Sequence, residues 1–140
     1  MWFFTKKESI YVVNDFSLQK EIITMNKIYF LASCDTCRKI IKSLPKDNTL
    51  IFHDIKQNPI SETELDEMFQ LSGSYEALFS KKAQLYKSMD LKNKSLTEAD
   101  YKRLILEHYT FLSRPVFIIN NQIFIGNGQK NIIEVIKTLS

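Results

Sequence analysis

Lys27-Ile28-Tyr29-Phe30-Leu31 runs straight into Ala32-Ser33-Cys34-Asp35-Thr36-Cys37-Arg38-Lys39. The first five residues are short, apolar and β-prone, the pattern of a buried strand. Beyond the cysteines, Ile40, Ile41 and Leu44 recur at helical spacing among Arg38, Lys39 and Lys42. That pattern predicts a helix stopped by Pro45. The cysteines therefore fall where a strand turns into the first turn of a helix. There, unpaired backbone N–H groups and the positive end of the helix dipole favour an anion. A thiol so placed ionises easily, with values of roughly 3.5–7.5 against about 8.5 for free cysteine. Arg38 and Lys39 add positive charge close by. Cys34 is the candidate nucleophile, and Cys37, one turn on, the candidate resolving thiol.

C-x-x-C also occurs as half of a zinc site and as a pair of inert buried thiols. A zinc site needs two more ligands, but the chain has only two cysteines, and its two histidines, His53 and His108, lie in separate segments. No metal is expected. The strand-to-helix setting favours redox chemistry over inert thiols, as it does wherever C-x-x-C adjoins a β-α-β pattern.

The 140 residues, 44% hydrophobic and 25% charged, fit one soluble globular domain with a full core. Three glycines and three prolines exclude low-complexity sequence. A net charge of +3 suits an oxyanion substrate or an acidic partner surface, and is too small to argue direct nucleic-acid binding. Two close cysteines do not resemble the dense disulfide framework of small secreted domains, so a cytoplasmic location is expected. No apolar run approaches the ~20 residues of a membrane span. Met1-Trp2-Phe3-Phe4-Thr5-Lys6-Lys7 puts apolar residues ahead of the charges, unlike a signal peptide.

Residues 1–24 carry two readings. Either Met25 is the natural start and the preceding residues are upstream sequence, or they form an extension that docks on a sheet edge. Weak order is expected there, since termini need tying down. Thr49 to Ile55 reads as a second strand, giving a β-α-β unit with parallel strands and a right-handed crossover. His53, alone among apolar neighbours in that strand, reads as structural. Ser61 and Glu64 form a capping box ahead of Leu65, Met68, Phe69 and Leu71, with Gly73 as the stop. Tyr75–Phe79 reads as a short helical turn, Ser80-Lys81-Lys82 and Leu85–Met89 follow, and after a break at 93–95 Thr97 caps a helix carrying Tyr101, Leu104, Ile105 and His108. Residues 61–110 thus look like an all-helical insertion. Phe111–Ile119 runs into a third strand, Asn120-Asn121 makes a two-residue turn, and Gln122–Gly126 forms a fourth strand. Ile132 to Leu139 closes the chain with a helix. The order predicts an α/β fold, a mixed four-stranded sheet with helices on its faces.

That order, with C-x-x-C after the first strand and a proline opening the third, resembles the thioredoxin/glutaredoxin fold. Cys34-Asp35-Thr36-Cys37-Arg38-Lys39, the helical insertion and Ser113-Arg114-Pro115-Val116 together resemble the ArsC/Spx family, from about residue 25 to 140. That family includes arsenate reductases coupled to glutathione and glutaredoxin, YffB-like proteins and Spx transcriptional regulators. The resemblance implies a cis bond at Pro115 facing the thiol. It also implies a cytoplasmic thiol oxidoreductase with no bound cofactor, reduced by glutathione, glutaredoxin or thioredoxin. Arg114 suits an oxyanion fork, because its fixed donors take arsenate- or phosphate-like oxygens two at a time. Arg38, Lys81 and Lys82 join it and Pro115 as expected substrate contacts. Plasmid-type arsenate reductases use two further arginines, where this chain has Ser80-Lys81-Lys82 and the arginine-free Gly126-Asn127-Gly128-Gln129-Lys130. Those enzymes also generally lack a counterpart of Cys37, which Spx-like and YffB-like members have. The alternative the resemblance allows is therefore an Spx-type regulator whose disulfide is a switch and whose partner is the RNA polymerase α subunit.

Overall fold

In a computed structural model, residues 25–46 and 49–140 are described. Both readings of residues 1–24 fall outside them. The chain forms β1 (Lys27–Phe30), α1 (Asp35–Ser43), β2 (Ile51–Asp54), α2 (Glu62–Ser72), α3 (Gln84–Ser88), α4 (Glu98–Glu107), β3 (Val116–Ile119), β4 (Gln122–Ile125) and α5 (Gln129–Leu139). Single 3₁₀ turns at Glu76–Leu78, Leu91–Asn93 and Tyr109–Phe111 link the middle helices.

The sheet runs β2-β1-β3-β4, with β1 parallel to β2 and antiparallel to β3, and β3 antiparallel to β4. This is the mixed four-stranded sheet expected from the strand pattern. Side chains alternate across it, so each central strand feeds two cores. Ile28, Phe117 and Ile119 pack with Ile40 of α1 and Val135 of α5. Tyr29, Val116 and Ile118 face the other way, onto Leu65 and Met68 of α2, Leu104 and Ile105 of α4, and Phe111. All four residues of β3 are buried, which explains why it reads as an unbroken apolar run rather than an alternation.

Local chemistry sets most boundaries. Ser61 Oγ accepts the Glu64 N–H while the Glu64 carboxylate accepts the Ser61 N–H, and Gly73 ends α2 at φ +81°. Thr97 and Asp100 make a second such box on α4. Asn120 and Asn121 both take positive φ, 52° and 64°, the twist that a tight hairpin needs.

The third strand opens at Val116, directly after Pro115, as expected. Pro115 has no N–H to offer a ladder, and residues 111–113 pair elsewhere. The Ser80 N–H donates to the Phe111 carbonyl at 2.7 Å, and the Ser113 N–H to the Leu78 carbonyl at 2.8 Å. Phe111 stacks on Phe79 with centroids 5.0 Å apart. This pairing brings the Ser80–Lys82 segment alongside Arg114, although more than thirty residues separate them in sequence. Among the described residues, no helix is long and apolar enough to cross a membrane.

Candidate active site

Cys34 is the N-cap of α1, in extended backbone at φ −91° and ψ 119°, and its carbonyl accepts the Arg38 N–H at 3.1 Å. The open first turn of α1 presents its N–H groups to the sulfur. Partial burial works against the Cys34 thiolate. The backbone N–H of Cys37, the Cys37 thiol, the Thr36 N–H and the charge of Arg114 outweigh it and hold Cys34 below the ordinary thiol range. Cys37 is only 1% exposed, packed in the core with Leu31, and burial pushes its thiol up, with the neighbouring Cys34 charge adding to the shift. The two sulfurs thus differ in the way a nucleophile and a resolving thiol must.

One prediction follows for pH. The thiolate is the reactive form, so alkylation of Cys34 rises with pH through its folded-state pKa. The rate of iodoacetamide labelling should reach half its plateau below about 8.5, the value of a free thiol, with Cys37 unlabelled until the protein unfolds. A midpoint at or above that value would contradict the helix-terminus effect.

Cys34 opens on a cavity of about 500 Å³ whose walls come from three places: Glu76 to Lys82, Ser113-Arg114, and Gly126-Asn127. The Arg114–Pro115 peptide is cis, as the resemblance implied, and Pro115 is buried. Arg114 Nη1 donates to the carbonyls of Thr110 (3.2 Å) and Leu112 (3.5 Å), while its buried Nε has no partner among the described residues. An arginine anchored on one side, with a donor unspent, suits an anionic guest.

The other expected contacts divide. Lys82 lines the cavity and pairs with no carboxylate among the described residues. Lys81 lines it too, but its Nζ is 2.9 Å from Glu76 Oε2. Arg38 is not a wall of this cavity; it donates to the Ala32 carbonyl at 2.7 Å and pairs with Asp35, bracing the strand-to-helix corner instead. His53 is also elsewhere, with Nε2 2.6 Å from the Asn58 carbonyl, Nδ1 3.5 Å from Glu64 and its ring on Tyr29.

Sequence reasoning missed Glu76. Its carboxylate stands in the cavity wall, paired with Lys81 and 3.4 Å from the Tyr101 hydroxyl. Lys81 holds it below the usual carboxylate range. No local spacing signals this, because the turn between Glu76 and Lys81 is irregular and Tyr101 arrives from α4. Its neighbour in space, Glu98, was missed for the same reason. Glu98 accepts hydrogen bonds from the Tyr75 N–H (2.6 Å) and the Glu76 N–H (3.2 Å), fixing this turn against α4.

A mixed sheet in this order, with a thiol pair where β1 meets α1 and a cis-proline ahead of β3, defines a thioredoxin-like fold. The ArsC family model matches residues 29–135, and the chain belongs to that family. The chain is 23% identical over 110 residues to the global transcriptional regulator Spx of Streptococcus pneumoniae, covering 77% of this chain and 83% of the relative. It is 26% identical over 109 residues to Spx 2 of Bacillus anthracis, covering 75% and 82%. Among solved structures, an arsenate reductase from Vibrio cholerae superposes with a TM-score of 0.66 at 22% identity, covering 79% of this chain and 96% of that one. An ArsC-family-related protein from Bacteroides fragilis gives 0.68 at 21%, covering 79% and 97%. At such identities the structural likeness speaks for the fold alone.

Proposed function

We propose that the protein is a cytoplasmic thiol oxidoreductase in which the Cys34 thiolate attacks an oxyanion such as arsenate, or a disulfide sulfur. The observation that carries this reading is the asymmetry of the thiol pair: a partly exposed sulfur held below the ordinary thiol range at a helix N-terminus, backed by a buried one pushed above it. With arsenate, Cys34 Sγ bonds to arsenic as an oxygen leaves as water. A second thiol, Cys37 or glutathione, then attacks Cys34 Sγ, and arsenic departs as As(III) with the electron pair of the broken S–As bond. With a disulfide, a thiolate leaves in place of water and the same second thiol closes the cycle. Arg114, Lys82 and the α1 N-terminus stabilise the charge that develops. Glutathione, glutaredoxin or thioredoxin returns the electrons, and no bound cofactor or metal takes part.

The test is arsenate reduction coupled to glutathione and glutaredoxin. Arg114→Ala should lower turnover by about 10²-fold, the usual cost of losing one preorganised donor, and Cys37→Ser should retain turnover only if an external thiol resolves the adduct. Absence of turnover in the unaltered protein, with Cys34 and Cys37 still cycling between dithiol and disulfide, would sink oxyanion reduction.

A second reading is favoured by two observations, the Glu76 carboxylate that offsets Lys81 in the cavity and the likeness to the Spx regulators. In it the Cys34–Cys37 disulfide is a switch on a protein that binds the RNA polymerase α subunit. Redox-dependent retention of that subunit by the purified chain, without turnover, would establish it.

A further inference from the structure

The positive charge around Cys34 is not centred on the sulfur. In the Cys34 cavity, Lys81 is offset by Glu76 at 2.9 Å. The uncompensated cations lie to one side. Arg114 and Lys82 are walls of a second, larger cavity of about 770 Å³, which also takes in Lys87 of α3, His108 and the Thr110 hydroxyl-bearing side chain. Among the described residues no carboxylate lines it. Lys82 and Lys87 are exposed, and neither is paired with an acid among the described residues. The two cavities share Lys82 and Arg114, so they form one trough whose only described carboxylate, Glu76, stands at the Cys34 end.

A compact oxyanion has all its charge within one bond of the atom attacked, and here it would meet the Glu76 carboxylate as well as Arg114 and Lys82. A longer guest, with its sulfur at Cys34 and its negative charges displaced along the trough, would meet Arg114, Lys82 and Lys87. We infer that the preferred substrate is a disulfide carried on a carboxylate-rich peptide, bound with its acidic groups against Lys82, Lys87, His108 and Arg114. This inference rests on the thiol reading of Cys34 and narrows its substrate class. In the reaction, the Cys34 thiolate bonds to the peptide sulfur and the peptide's former partner leaves as a thiolate. Cys37 then gives up its proton, bonds to Cys34 Sγ, and releases the peptide thiol. Two protein thiols are oxidised to one disulfide, and the substrate disulfide is reduced to two thiols.

The test uses short peptides with one cysteine in mixed disulfide with thionitrobenzoate, flanked by acidic, neutral or basic residues. Release of the coloured thiolate from excess reduced protein gives the rate. Each rate is divided by that of the same variant with neutral dithiodipyridine, which corrects for any general change at Cys34. The acidic peptide should react roughly tenfold faster than the basic one at low salt, the lower range of electrostatic steering. The ratio should collapse in 1 M salt, where the screening length is about 3 Å. Lys87→Glu should invert or abolish the preference, with Lys87→Gln intermediate. A glutathione mixed disulfide run in parallel locates the recognised carboxylates: enhancement there as well places them within a tripeptide, and enhancement only with longer peptides places them on a protein segment, either of which supports the trough. Equal rates for acidic and basic peptides, or a preference untouched by both Lys87 variants, would overturn it. Failure of Cys34 to react even with dithiodipyridine would instead remove the thiol reading beneath it.

Discussion

Cys34→Ser should abolish thiol-dependent turnover, by ~10³-fold or more, in line with the cost of deleting a covalent nucleophile. Serine keeps the shape and the N-cap position, so the fold is retained and the loss is chemical. A hydroxyl is not ionised by one helix terminus and one guanidinium, whereas the thiol is already drawn below its ordinary range by the α1 amides and Arg114 once the burial penalty is met. Cys37→Ser differs in kind. The first attack survives, since Cys34 keeps the Thr36 and Cys37 backbone N–H groups and loses only the thiol's hydrogen bond. The mixed disulfide or adduct on Cys34 should then persist long enough to be seen as an intact mass increment. A Cys34→Ser protein that still turns over would remove Cys34 from the chemistry altogether.

Phe111→Ala should cost about 3–5 kcal/mol, the range for deleting a buried aromatic ring. Phe111 is fully buried, stacked on Phe79 at 5.0 Å and packed edge-on to His108 at 6.3 Å. Its carbonyl also holds the Ser80 N–H. Against a typical domain stability of about 5–15 kcal/mol, the loss is large, and it falls on the seam joining the Ser80–Lys82 segment to the Arg114 loop. Urea unfolding monitored by circular dichroism should show a lower midpoint with an unchanged slope. Cys34 reactivity toward a neutral reagent should fall far less than oxyanion or acidic-peptide turnover, because β1 and α1 do not pass through this seam. A loss below about 1.5 kcal/mol would mean the neighbouring side chains close over the gap.

The parts legible in the sequence are those whose cause is local. The thiol junction announces itself by a strand-length apolar run followed at once by helical spacing. Ser61 with Glu64, and Asn120 with Asn121, carry their geometry within four residues. Arg114 and Pro115 were readable only through the family's joint motif set, since an arginine before a proline has no chemistry of its own until a thiol faces it. What stayed hidden depends on contacts between distant segments. Glu76 enters the cavity because Glu98 pins its turn from over twenty residues away. The pairing of residues 111–113 with 78–80, just ahead of β3, is one that no periodicity encodes. Arg38, expected among the substrate contacts, gives its guanidinium instead to the Ala32 carbonyl and to Asp35.

The burial of Cys37 has a consequence for survival under oxidative stress. With 1% of its surface exposed, it is sheltered from peroxide arriving from solvent, and damage begins at Cys34. A sulfenic acid formed there has a thiol already waiting one helical turn behind it. Condensation of the two expels water and leaves a reducible disulfide, ahead of the slower, irreversible passage to sulfinic and sulfonic acids. In the proposed thiol cycle the buried sulfur is thus a built-in fuse that resets.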